Sequence, residues 1–547
     1  MFGKPHSIPR KLRLRKMAGG IAIPSRKDLS LRSRIMPTPL PQQLLIPLQQ
    51  PGCVSATPIV AVGDRVGKYA QLAEPETQPG VPVFAPASGT VVALRQQQIT
   101  VAPNQTATVD CLILETATDD VETLTLTGHD YRELAPGELN TLLASAGIID
   151  TVDAIGGSEA LATLLNKART TDIELLVING IESDPYMSSD AAIAREYPEA
   201  ICNGAAILQV ATGAMRCAIA LSANQQESIA ALQDVLAGSA IELLLVPDKY
   251  PAHDMGMVVG GLTRSQPATT SHPVNHGILG LSMSTALAAH ERISTGAPCV
   301  SRITTITGLG IKTPKNFRVP LGTPLQHLLE LCGASEHEPM TVVAQSALNG
   351  FTVQSTAEPV AQWHTGFIAS GPAELASPGA PEPCIQCGHC ITACPRPLQP
   401  NQLFALTSKR DWLQLQQSGL DDCIECGACA YVCPSHLPLL QTFRAAREEL
   451  QRQHRNTQRS DYWQQRFADH QTRDAQEKEL QLEAQRLRKQ KADSKTETGF
   501  SRQQARSDIA DAVARVKARR LASDKATLDT SSKTAHNAET NDSGEAH

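Results

Sequence analysis

The 547 residues carry a formal charge of −6 and only 3% aromatic side chains, which gives neither an electrostatic nor a stacking case for nucleic acid. The length leaves room for roughly three or four domains. No run of about eighteen apolar residues occurs, so no bilayer span is expected, and the N-terminus lacks the apolar stretch of a secretory signal.

Residues 1–43 form a basic arm, with Lys4, Arg10, Lys11, Arg13, Arg15 and Lys16 followed by Arg26, Lys27, Arg32 and Arg34. Such an arm is either solvated and loosely ordered, or rests on anionic lipid or an acidic partner. Residues 44–136 show short apolar runs broken by Gly and Pro, the pattern of a β domain. Val62-Gly63-Asp64-Arg65-Val66 and Pro86-Ala87-Ser88-Gly89-Thr90-Val91-Val92 resemble the turns of a biotinyl/lipoyl-like barrel-sandwich hybrid. The stretch Gln71 to Phe84, where that family carries its modified lysine, has no Lys, so the domain is expected to be scaffold.

Residues 137–300 alternate strand and helix. Ile173–Ile178, Ala218–Leu221 and Ile241–Val246 are apolar strand runs, and Glu227–Leu236 and Thr285–Ile293 have helical period. This rhythm predicts a Rossmann-like α/β domain with a mostly parallel sheet. Ligands of such sheets bind beyond the carboxyl ends of the strands, here the loops Asn179–Tyr186, Lys249–Met255 and Ser282–Thr285. Residues 301–352 resemble a β-grasp domain of the soluble-ligand-binding type. Ile303–Gly308 is its strand, and Leu325–Cys332 is a helix that Gly333 stops. The Ala/Pro/Gly/Ser-rich stretch 353–383 is expected to be a linker.

Residues 384–440 carry the strongest signal in the chain. The pattern C-x2-C-x2-C-x3-C-P occurs twice, as Cys384, Cys387, Cys390, Cys394, Pro395 and as Cys423, Cys426, Cys429, Cys433, Pro434. Structural zinc also uses C-x2-C, but closes with four ligands and has no need of this repeated pattern. Thiolates at this spacing suit iron bridged by sulfide, with the fourth Cys of each run serving the other run's cluster. The expected ligand sets are Cys384, Cys387, Cys390 and Cys433 for one [4Fe–4S] cluster, and Cys423, Cys426, Cys429 and Cys394 for the second. The remaining cysteines (Cys53, Cys111, Cys202, Cys217, Cys299, Cys332) read as buried small hydrophobes, and the total of fourteen points to a reducing compartment.

Residues 441–491 read as a charged helix whose apolar positions, among them Phe443, Ala446, Leu450, Trp463 and Phe467, are too sparse for a heptad seam. Residues 492–547 are low in apolar content and expected to be mostly disordered. The exception is Ser507–Leu521, where Ile509, Val513, Val516 and Leu521 mark one helical face of a docking helix.

The order of these modules resembles that of the C subunit of the Rnf/Rsx-type ion-translocating electron transport complex, itself similar to the flavin- and NADH-binding subunit of respiratory complex I. The resemblance runs from about Gly19 to Leu450. It is closest in Asp422-Cys423-Ile424-Glu425-Cys426-Gly427-Ala428-Cys429 and Val432-Cys433-Pro434-Ser435, with Gly19-Gly20-Ile21 and Leu321-Gly322-Thr323-Pro324 agreeing as well. It implies a peripheral iron–sulfur protein on the cytoplasmic side of a bacterial inner membrane. Such a protein passes single electrons through two [4Fe–4S] clusters in an oxidoreductase of NADH/ferredoxin type. The implied partners are the other subunits of that complex, with ferredoxin or NADH as redox partners and no nucleic acid. No catalytic residue is assigned.

The sequence departs from the resemblance at the flavin loop. Where the family has G-x-G-G-x-G-F-P-T, this chain reads Ala154-Ile155-Gly156-Gly157-Ser158-Glu159-Ala160-Leu161-Ala162, keeping Gly156 and Gly157 and placing Glu159 where phosphate would approach. The family's N-x-x-E-x-E-P-Y survives as Asn179, Glu182, Asp184, Pro185 and Tyr186. The glycines after Lys249-Tyr250-Pro251 are replaced by Ala252-His253-Asp254, and the family's Asn-Val-Gly-Thr by Ser282-Met283-Ser284-Thr285. Either Gly156, Gly157, Asn179, Glu182 and Asp184 hold FMN and NADH in altered form, or the pocket is vestigial and a partner protein feeds the clusters. Loss of the glycines that let backbone approach phosphate favours the second. Two other functions stand as alternatives: a soluble flavin-dependent NADH dehydrogenase, and a non-catalytic scaffold or assembly paralogue.

Overall fold

The computed structural model describes residues 8, 12, 14, 17–50, 52–77, 80–102, 105–117, 125–153, 157–263, 272–334, 340–371, 374, 379–497 and 502–534. Lys4, Arg10, Lys11, Arg13, Arg15, Lys16 and Gly156 therefore lie outside the described residues. The chain divides into two units, 1–450 and 451–547.

The β domain is built on one long hairpin, Gly89–Ala102 with Gln105–Thr116. Gln43–Pro47 and Arg65–Val66 complete a four-stranded sheet, which faces a three-stranded one of Ala56–Pro58, Gln71–Pro75 and Val83–Phe84. Alternating side chains fill the space between them, with Leu44, Leu72, Val91 and Leu112 at its centre. The hairpin's far end is anchored by Thr100, whose N–H and hydroxyl both donate to the buried Glu358 carboxylate at 2.7 Å. That contact fixes the β domain to the module formed after residue 300.

In the α/β domain four parallel strands lie in the spatial order Glu242–Val246, Arg216–Ser222, Leu175–Gly180, Ile278–Ser282. The first strand in sequence is thus flanked by the second and the fourth, a reversal of winding direction. Both faces are buried, which is why the strands read as continuous apolar runs. Leu176, Ile178, Ile219 and Leu221 face one helical layer, while Leu175, Val177, Ala218 and Ala220 face the other. The winding reversal puts a crevice beyond Asn179 and Ser282, where such sheets bind ligands.

The third module differs from expectation in extent. Its sheet has six strands in the order Met36–Pro37, Lys315–Pro320, Ser301–Thr307, Gly366–Ser370, Thr341–Ala344, Phe351–Thr352. Residues 353–383, expected to be a linker, supply Gly366–Ser370, a central strand with all five residues buried. Small residues make the stretch look like a connector, but Gly366 has to be small: a Cβ there would fall 2.6 Å from the Met187 sulfur. The helix Leu325–Leu331 packs across the sheet through Leu325, Leu328 and Leu329.

The expected basic arm over 1–43 is also corrected. From Met17 onward it threads through the unit as packed chain, with Lys27, Ser30 and Thr38 buried and Met36–Pro37 pairing parallel to Phe317 and Arg318. Lys27 is no surface charge. Its ammonium donates to the Glu182 carbonyl and pairs with the Glu182 carboxylate at 3.7 Å.

The tail is more helical than composition suggests. One helix runs Leu439–Glu497 and another Arg502–Thr534, so the disorder expected over 492–547 does not hold for the described part. Phe443, Ala446 and Leu450 are buried in the first unit. In the second unit Ile509, Val513, Val516 and Leu521 are all exposed. Among the described residues no helix is long and apolar enough to cross a membrane.

Candidate functional site

Each cysteine motif bends its backbone the same way. Gln386 and Gly388 in the first, and Glu425 and Gly427 in the second, all have φ between 53° and 78°. Positive φ alternating with ordinary backbone turns successive N–H groups toward one side, the concave nest that anionic sulfur clusters occupy. Gly427 has a second reason to be glycine, since a Cβ there would sit 2.8 Å from the Leu348 carbonyl oxygen. Short helices, His389–Ala393 and Ala428–Tyr431, follow the two nests and pack on each other. Their contact brings the two motifs side by side.

The second motif encloses a space. Cys423, Cys426 and Cys429 line one small cavity together with Cys394 of the first motif, alongside Leu398, Leu403, Ile424, Leu440 and Phe443. Among the described residues no three His, Cys, Asp or Glu side chains are placed to hold a single metal ion. The four cysteines come from two motifs and line one common space. Burial pushes the Cys423 thiol up to about 11 and Cys426 up to about 12, against hydrogen bonds from the backbone at Glu425 and Ala428. The Glu425 N–H lies 3.4 Å from the Cys423 sulfur.

The first motif is more open. Cys384 and Cys387 are exposed, Cys390 is buried and Cys433 is partly buried. The Glu382 N–H donates to the Ser435 carbonyl at 3.0 Å, and the Ser435 hydroxyl to the Pro383 carbonyl at 3.1 Å. This clasp lays the chain entering Cys384 beside the chain leaving Cys433.

Charged side chains brace the second motif from outside. Arg444 and Arg447 pair with the Glu425 carboxylate at 3.1 and 2.6 Å. Arg447 also donates to the Leu420 and Cys423 carbonyls, and Arg444 to that of Asn349. The N-terminal segment closes another side. Gly20 N–H donates to the Ala393 carbonyl at 3.0 Å, and Gly19 approaches so closely that a Cβ would fall 2.0 Å from the Cys394 carbonyl oxygen.

The second candidate site is the crevice at the winding reversal, which opens to solvent. Asn179, Glu182 and Asp184 line it as expected, and so does Ser158, next to Gly157 in the strand Gly157–Ala160. Glu182 serves the fold. Its carboxylate accepts from the N–H groups of Asp190 and Ala191, at the start of the helix Ser189–Glu196, as well as pairing with Lys27. Asp184 accepts from the Ser346 hydroxyl at 2.5 Å and lies 3.4 Å from His253, whose other ring nitrogen meets Ser183. Glu159, expected to repel phosphate, is paired with Lys167 at 2.6 Å, which offsets its charge.

Sequence reasoning did not single out Arg302, Ser346 or Trp363, which also line this cavity. Arg302 and Trp363 are buried, and among the described residues Arg302 Nε and Trp363 Nε1 have no hydrogen-bond partner. A guanidinium in an otherwise uncharged strand, and a Trp inside a supposed linker, were the available signals. Burial and the Glu182 carboxylate push the Asp190 carboxyl up, while Arg302 and Lys27 hold it down.

Tyr250 joins the two sites. It is 1% exposed, its hydroxyl donates to the Cys426 carbonyl at 2.6 Å, and its ring lies 5.8 Å from that of His253 on the crevice wall. Asn349 and Ser346 flank the same partition.

Family models match in three places: an RnfC barrel sandwich hybrid domain over residues 15–119, a Nuo51 FMN-binding domain over 152–291 and a 4Fe-4S dicluster domain over 382–437. The dicluster match and the doubled cysteine motif make the metal cofactors two [4Fe–4S] clusters. Similar curated proteins are each described as the C subunit of an ion-translocating oxidoreductase complex. That of Pseudomonas aeruginosa is 32% identical over 84% of this chain and 59% of its own length. That of Serratia proteamaculans is 32% identical over 81% of this chain and 62% of its own. This chain thus spans under two thirds of those two proteins. The Rhodobacter capsulatus protein is 32% identical over 80% of this chain and 84% of its own length. Among solved structures, an NAD+-reducing [NiFe]-hydrogenase covers 58% of this chain and 63% of its own at 14% identity, with a TM-score of 0.43.

Proposed function

Because this chain belongs to the RnfC family, the C subunits of ion-translocating oxidoreductase complexes, we propose that it carries single electrons through two [4Fe–4S] clusters as a peripheral member of such a complex. Its partners on this reading are the other subunits, with NADH or ferredoxin beyond them, at the cytoplasmic side of an inner membrane. The six-stranded module is read as a β-grasp domain and the cysteine region as a ferredoxin-like pair.

One observation carries the reading: Cys394 of the first motif lines the same cavity as Cys423, Cys426 and Cys429 of the second. Exchange of the fourth ligand is what two-cluster ferredoxin spacing requires. We assign one cluster to those four thiols and the other to Cys384, Cys387, Cys390 and Cys433. The residues fit the group, since both motifs offer thiolates and inward N–H groups. The clusters supply one-electron storage, and the protein supplies ligation, burial and charge.

A second reading concerns FMN. The unpartnered donors Arg302 Nε and Trp363 Nε1, in the wall of a crevice at the winding reversal, support a heteroaromatic ligand with acceptor atoms. Bound FMN would supply the conversion of a two-electron hydride into single electrons. Asn179, Asp184 and Ser346 would flank it, with Gly157 beside Ser158 in the crevice wall; Gly156 lies outside the described residues. Here Asp184, held by Ser346 and His253, would orient the ring, and Tyr250 would exclude water between the sites. The chain's own NADH-oxidising activity depends on this second reading.

Anaerobic purification with iron, sulfide and flavin counted together tests both. About eight iron per chain are expected, four per cubane. Iron near zero with stoichiometric zinc overturns the first reading, and absence of flavin after reconstitution with FMN overturns the second.

A further inference from the structure

Between Arg452 and Arg473 the helix Leu439–Glu497 carries a stripe that neither cluster nor crevice explains. Arg452, Arg455, Arg459, Trp463, Arg466, His470 and Arg473 follow one another at steps of three or four residues, so they share one helical face. Tyr462 and Phe467 sit beside Trp463 on it. Asp461 falls on the opposite face, and at the stripe's end His470 lies 3.2 Å from the Asp474 carboxylate, so the arginines carry the face's charge.

The side chains of this face are exposed, with Tyr462 at 55%, Trp463 at 54% and Phe467 at 64%. The Arg466 guanidinium lies 5.4 Å from the Trp463 ring and 5.8 Å from that of Tyr462. The two rings meet edge-on at 5.5 Å. A solvated helix has no reason to hold three large rings together among five arginines in a chain only 3% aromatic. Tyr and Trp, with an apolar body and a polar tip, favour the boundary between water and hydrocarbon. Arginine forks match phosphate oxygens, and stacking on a ring leaves the guanidinium edges available for them.

We propose that this arginine–aromatic face docks on the anionic headgroups of a lipid bilayer, the helix lying in the plane of the interface. Charge complementarity selects this occupant: the face is cationic with apolar rings between the charges, and a bilayer of acidic phospholipids offers anionic phosphates over hydrocarbon. An acidic protein would match the arginines but offers no general reason for the rings. The inference draws on the membrane location in the functional reading above but not on the clusters.

The test is co-sedimentation of the full cluster-loaded chain with vesicles of phosphatidylcholine alone, or mixed with phosphatidylglycerol. Binding is expected only to the mixed vesicles and weaker at high salt. Arg459→Glu with Arg466→Glu should cut it about tenfold or more, and Trp463→Ala with Phe467→Ala should also weaken it. Failure of the native chain to bind mixed vesicles overturns the proposal, as does unchanged binding by the charge-reversed variant. Capture by lipid-free membrane subunits in place of vesicles overturns it too. Iron content and dithionite reduction of the same samples report on the clusters separately, so failure of one reading is not mistaken for failure of the other.

Discussion

Glu425 occupies a position where its backbone, its charge and its neighbours each act on Cys423, assigned above as a cluster ligand. At φ 53° it adopts a conformation that non-glycine residues rarely take, and that conformation points its N–H at the Cys423 sulfur. The Arg444 and Arg447 pairs hold the carboxylate and with it the turn. Gln386 takes the same backbone form in the first motif, but its amide carries no charge. Beside the cluster assigned above to Cys423, each positive charge favours the added electron and each negative charge opposes it. Glu425→Gln should therefore raise the reduction potential of one cluster, and Arg447→Gln should lower that of the same cluster. Glu425→Gly keeps the turn accessible and separates conformation from charge. Potentiometric EPR of the two clusters reads all three, and equal movement of both clusters would contradict the local account.

At the scale of elements, the strand Gly366–Ser370 does more than its composition announces. It lies between Ser301–Thr307 and Thr341–Ala344, and Phe367, at 2% exposure, fills the core under the helix Leu325–Leu331. Emptying that position as Phe367→Ala should cost about 3–5 kcal/mol, read as a lowered denaturant midpoint under anaerobic conditions. A residue in a true linker would give almost no change. The same strand follows Trp363 directly, so the element that completes the sheet also carries a wall of the crevice. This is why a substitution in the core at Phe367 should also disturb any ligand held there.

For the whole molecule, the division after Leu450 separates two kinds of surface. The first unit has its own cores in the α/β sheet, the six-stranded module and the cysteine region, and the long helix contributes Phe443, Ala446 and Leu450 to the last of these. Over residues 451–493 and 503–521 the second unit's side chains are exposed save the half-buried Gln453. A chain ending after Leu450 is expected to keep about eight iron and to lose sedimentation with anionic vesicles. Loss of iron on truncation would mean that the second unit supports the clusters.

The cysteine pattern, the parallel-sheet rhythm and the helical face at Ser507–Leu521 were legible in the sequence, because each depends on spacing along a few turns of chain. The crevice was legible through Asn179 and Asp184, which stand just past a recognisable strand. Glu182 was legible as a lining residue, but its service as a cap for the helix Ser189–Glu196 was not. Other features arose from contacts between distant segments. Lys27 reads as one more basic residue in an arm, yet burial pairs it with Glu182. Arg302 and Trp363 meet on one wall although sixty-one positions separate them. Spacing determined which residues could bind iron and where strands would form. Spacing also pointed Cys394 toward the second motif, but only tertiary packing decided that Cys384 and Cys387 stay exposed while Cys426 is buried, because burial and charge pairing arise between segments that sequence distance keeps apart.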